Sequence, residues 1–135
     1  SVEARGALGL GEPETRSQVK YMQIIDDSLG WEGMQQLLPL LKQIADRHGV
    51  RIANVATQYI LRQPGVGAVM IGTRNSRHVD SNVATLNFDL TEEALQTIHD
   101  FIGRYPTPEG DCCWLERNSP PVKGIILTDR NNVAH

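Results

Sequence analysis

The chain lacks any apolar run approaching the ~20 residues of a membrane-spanning helix, so no membrane partner is expected. Its opening residues, Ser1-Val2-Glu3-Ala4-Arg5, hold no apolar signal core. Cysteine is scarce: only Cys112 and Cys113 occur, side by side. Adjacent cysteines cannot easily bridge each other, and two of them supply neither a disulfide framework nor a zinc-ligand spacing. A reducing compartment follows by default, the cytoplasm, with organellar import left open. Excess positive charge is missing as well, with 13 Lys and Arg against 16 Asp and Glu. No basic stripe with interleaved aromatics exists to hold nucleic acid. Asp26-Asp27 is the one acidic pair that hints at a metal, and adjacent carboxylates without further ligands do not make a site.

What is present is a run of helical patterns. With 135 residues the chain can bury the core of one ordinary domain. Residues 1–30 read as irregular, punctuated by Gly6, Gly9, Gly11 and Pro13, with a short apolar cluster at 21–25. Residues 31–48 read as a helix, because Met34, Leu37, Leu38, Leu41, Ile44 and Ala45 fall on one stripe. Pro39 is expected to kink it or start a new helix, and Gly49 to stop it. Ile52, Val55, Ala56, Tyr59 and Ile60 make a second stripe that ends before Pro64-Gly65. Residues 66–71 form an apolar run between breakers, too short for a helix, and read as a buried strand. A helix opens at Asn75 or Ser76, with Val79, Val83 and Leu86 on one face. Thr91 caps a last helix whose stripe is Leu95, Ile98 and Ile102 and whose stop is Gly103. The remainder is a tail rich in Pro, Gly and charge, with a short strand expected at 122–128 and a turn at 129–132.

The most informative stretch is residues 69–82, Val-Met-Ile-Gly-Thr-Arg-Asn-Ser-Arg-His-Val-Asp-Ser-Asn. A strand would end at Gly72, a polar turn follow, and a helix begin. Unpaired N–H groups and a positive dipole end suit an anion there. Arg74 adds a permanent, fork-shaped cation. From the spacing alone, a phosphate site competes with an ordinary strand-to-helix turn carrying a solvated Arg.

The flanks of this turn resemble the C-terminal part of aldo-keto reductases. The carrying motifs are residues 52–66, the turn itself, and Leu-Asn-Phe-Asp-Leu-Thr-Glu-Glu-Ala-Leu at 86–95. Upstream, Gly11-Glu12-Pro13-Glu14 and Gly30-Trp31-Glu32 are similar to one branch of that family. The likeness covers about Leu8 to Tyr105. It implies an α/β fold, the C-terminal part of a (β/α)8 TIM barrel, mostly helical within this chain and with one clear barrel strand. Such a barrel takes roughly 200 residues or more, so an incomplete barrel is expected, with residues 1–105 as the reductase-like segment and 106–135 as an irregular tail. A lone parallel strand would leave its N–H and C=O groups without a ladder. The implied partners are therefore a nicotinamide dinucleotide and either the missing N-terminal barrel half or a second copy of the chain.

The resemblance also implies a cofactor, NADP(H) with NAD(H) as the alternative, held at its adenosine end by Gly72, Thr73, Arg74, His78, Ser81 and Asn82. Arg74 would meet the ribose phosphate and Asn82 an adenine edge. His78 stands where the family usually has Arg or Gln, and Ser81 where it has Glu, which weakens the case for a strong NADP preference. The family's catalytic Asp, Tyr, Lys and His come from earlier strands, and no segment here is similar to the motifs that carry them. No catalytic residue is therefore assigned, and Tyr59 reads as a core residue. The parent enzyme would reduce carbonyls or oxidise alcohols, of a sugar or small aldehyde, and this chain alone would be inactive. Two other readings stand beside that one: a non-catalytic nucleotide-binding or interaction module derived from the barrel end, and an unstable product without function.

Overall fold

Helices dominate the structure, a computed structural model that describes residues 16–73, 75–108, 110, 114 and 118. The expected strand and turn at 122–132 and the Cys112-Cys113 pair lie outside the described residues. Helix α1 is Arg16–Asp27, α2 Gly30–His48, α3 Ile52–Leu61, α4 Val79–Val83 and α5 Glu92–Ile102. Single 3-10 turns, Ser76–His78 and Ala84–Asn87, flank α4. Contacts group the chain into two units, Ser1–Met34 with Tyr105–His135, and Gln35–Arg104.

In the first unit, α1 corrects the expectation of irregular chain before Gly30. The glycines and the proline that punctuate the N-terminus all precede residue 14, and none interrupts residues 16–27. Met22, Ile24 and Ile25 are half-buried there. Ser28 ends the helix by donating its hydroxyl to the Ile24 carbonyl at 2.6 Å. Gly30 then takes φ +67°, a left-handed backbone open to glycine without steric cost. Gly33 is buried against Tyr105. A Cβ at that position would stand 2.8 Å from the tyrosine ring, so the ring packs where only a glycine leaves room.

The second unit holds the core. Helix α2 contributes Leu37, Leu41, Ile44 and Ala45, all buried, the stripe that the periodicity predicts. It runs through Pro39 as one helix rather than two. Proline costs one backbone hydrogen bond there, and the exposed position leaves the freed carbonyl within reach of water. Gly49, at φ +66°, ends the helix, and the Val50 N–H reaches back to the Ala45 carbonyl at 3.0 Å.

Helix α3 departs from its expected stripe. Val55 is buried, but Ala56 and Ile60 are exposed, and the buried neighbours of Val55 are Asn54 and Gln58. Both amides face the chain that follows. Gln58 donates from Nε2 to the carbonyls of Thr85 and Phe88, each at 2.7 Å. Polar burial is tolerated because the hydrogen bonds are made. The rings of His48 and Phe88 lie 5.0 Å apart, closing the same side. Helix α5 opens as predicted: the Thr91 hydroxyl accepts from the Ala94 N–H at 3.2 Å, Leu90 and Ile98 are buried, and Gly103 is the C-cap.

The buried strand does not form. Among the described residues no strand is present; residues 66–71 are irregular, and Met70 is 100% exposed. The physical reason is the absence of a ladder partner. Without neighbouring strands the run has no ladder to join; the Val66 N–H turns back to the Gln63 carbonyl at 3.1 Å, and an irregular, largely exposed segment replaces a buried one. Val79, Val83 and Leu86, which the spacing puts on one face, are exposed.

Candidate functional site

The described residues of the candidate site lie on residues 72–73 and on the broken helix that follows. That helix is a 3-10 turn of three residues, then five residues of α-helix, then another 3-10 turn. Asn75 caps the first turn: its side-chain oxygen accepts from the Arg77 N–H at 3.1 Å, and the His78 N–H bonds the Asn75 carbonyl at 2.9 Å. Two early N–H groups are thus already satisfied, and so short a helix sums only a small dipole. The anion-binding argument drawn from a full helix N-terminus loses its weight, and the burden passes to side chains.

Gly72 is exposed, and a Cβ placed on it would meet nothing within 4 Å. It does not take a positive φ, so its value here is open access to the backbone rather than a left-handed turn. Thr73 and Asn82 come together. The Asn82 amide donates to the Thr73 hydroxyl at 2.8 Å across nine residues, latching the turn to α4. Arg74 lies outside the described residues.

His78 and Ser81 point to other partners. The Arg51 guanidinium lies 3.2 Å from His78 Nδ1. The Ser81 carbonyl accepts from the Asn54 amide at 2.6 Å, and the same amide donates to the Thr85 hydroxyl at 2.8 Å. The three residues expected to share one face therefore divide their contacts among Thr73, Arg51 and Asn54.

Asn54 and Arg51 are the residues that sequence reasoning passes over. Asn54 is 3% exposed, and its oxygen accepts from the Arg51 N–H at 3.0 Å. An Asn three residues after a helix entry is a capping signal, but nothing in the sequence announces that its amide reaches residues 27 and 31 positions away.

Beside the latch is a groove of about 400 Å³, lined by Thr57, Leu61, Ile71, Asn82, Val83 and Leu86 among others. The latch sets an open glycine, a hydroxyl and an amide beside a mostly apolar wall, groups that can hydrogen-bond an oxyanion or a base edge. Among the described residues no group of His, Cys, Asp and Glu could hold a metal ion. No helix among them is long and apolar enough to cross a membrane.

The model of the Aldo/keto reductase family matches residues 5–102. Protein tas of Escherichia coli (strain K12) is 29% identical over 80 residues, 57% of this chain and 23% of that protein. An aryl-alcohol dehydrogenase of Pestalotiopsis microspora is 32% identical over 75 residues, 53% of this chain and 20% of that protein. The chain thus spans under a quarter of the length of these relatives. No solved structure matches it.

Proposed function

Since the chain belongs to the aldo/keto reductase family, we propose that it supplies the adenosine-phosphate end of an NADP(H) site in an oxidoreductase that interconverts carbonyls and alcohols. NAD(H) is the alternative cofactor. Residues 1–105 form the cofactor segment in this reading and 106–135 a separate tail. The observation that carries it is the Asn82–Thr73 hydrogen bond, which joins two of the six nominated residues across the turn that follows the open Gly72.

The roles divide by chemistry. Gly72 gives a phosphate close access to the backbone. Thr73 offers its hydroxyl, and Arg74 pairs with the 2′-phosphate through a charge-assisted contact. Asn82 keeps a carbonyl and a second N–H for an adenine edge after one N–H is spent on Thr73. His78 and Ser81 flank that position. The nicotinamide cofactor supplies the hydride chemistry when bound. The proton donor and its helpers come from outside this chain, so the isolated chain is inactive. The dehydrogenase named among the relatives supports an alcohol–carbonyl substrate pair.

Arg74→Ala in the full-length protein is the test. NADPH affinity should fall about ten- to a hundred-fold, the equivalent of roughly 1.5–3 kcal/mol for a contact to a charged group. NADH, which lacks the 2′-phosphate, should change several-fold less, at one salt concentration because exposed charges are screened. Equal weakening of both cofactors would place Arg74 at a group they share. No change in either would make it a solvated surface charge and end the phosphate assignment.

A further inference from the structure

We infer that Arg51, on the helix before the turn, is a specificity-determining residue that supplies a fixed cation to the same phosphate. The inference rests on the cofactor reading above and adds to it a residue from a different element.

Two of the unit's other described basic residues are spent on carboxylates. Arg62 pairs with Asp89 and Lys42 with Asp46. Arg51 instead lies against Nδ1 of His78, 3.2 Å away. The guanidinium brings a permanent positive charge to this contact. Among the described residues no carboxylate neutralises it. The guanidinium has five N–H donors in a rigid fork, and one contact to an imidazole leaves the rest for an incoming oxyanion. Arg51 is exposed, so a ligand can reach it.

Its backbone is anchored by a buried clasp, and its guanidinium is placed by the contact to His78. The Arg51 N–H is held at 3.0 Å by Asn54, and the amide of that same side chain grips the Ser81 carbonyl at 2.6 Å and the Thr85 hydroxyl at 2.8 Å. One buried group therefore sets the spacing between the start of α3 and the segment that bears His78, Ser81 and Asn82. Where His78 itself offers no fixed charge, Arg51 brings one to the same spot. The ligand class is a nucleotide with a phosphate on the adenosine ribose.

The test measures binding of adenosine 2′,5′-bisphosphate and adenosine 5′-monophosphate to the full-length protein by isothermal titration calorimetry, at one salt concentration. The wild type should prefer the bisphosphate. Arg51→Gln should weaken the bisphosphate about ten-fold and the monophosphate less than two-fold, while Arg51→Lys keeps most of the preference. Because the clasp uses the Arg51 main chain, these substitutions leave it in place, and unfolding midpoints of both variants should match the wild type. An unchanged preference in Arg51→Gln, or equal weakening of both nucleotides, overturns the inference and leaves the cofactor reading standing. A wild type that binds neither nucleotide overturns both.

Discussion

One buried amide ties the two halves of the candidate site together. Asn54 spends its oxygen on the Arg51 N–H and its nitrogen on Ser81 and Thr85, all inside the second unit. Replacing it with Ala would leave a buried hydroxyl and two main-chain groups without their partner. A buried group left unsatisfied costs about 1–3 kcal/mol, so Asn54→Ala should lower stability by roughly 2–3 kcal/mol in urea unfolding. A midpoint unchanged from wild type would mean that water replaces the clasp and that Asn54 positions nothing. At this scale the sequence was only partly legible. Thr91, Gly49 and Gly103 announce their roles as cap and stops because capping is local chemistry. Asn54 and Arg51 do not, because their partners lie far along the chain and a polar residue in a helix ordinarily signals a solvated face.

Among the elements, legibility followed the source of each element's stability. Helices α2 and α5 bury or half-bury the stripes that their spacing predicts, since an amphipathic face needs only one apolar neighbour. Helix α1 lacks so clear a stripe and hid behind the glycines that precede it. Residues 66–71 show the opposite failure. Their composition is that of a barrel strand, yet a strand is made by its neighbours, and none is present among the described residues. The result is exposed apolar surface: Met70 is 100% exposed and Leu86 74%. Such surface drives association. The purified 135-residue chain should therefore sediment as dimers or larger species, and a Met70→Lys, Leu86→Lys double variant should shift it toward monomer. A wild-type monomer with a sharp, cooperative unfolding transition would contradict this and favour an autonomous module.

For the whole molecule, family membership and the incomplete pattern agree. The family match covers residues 5–102, while the helices of the second unit leave an apolar groove and an unpaired strand sequence side by side. Only a cofactor's adenosine end has been read onto these residues, since the catalytic set of the family resembles nothing in the chain. The proposal is thus one of binding, with the turn at residues 72–82 as the receiver of a nicotinamide dinucleotide phosphate. Amide hydrogen exchange of the full-length protein, with and without saturating NADPH, tests it most directly. Protection should concentrate at residues 72–82 and extend to the start of α3 near Arg51. NADPH that binds while leaving the exchange of residues 72–82 unchanged would contradict the account.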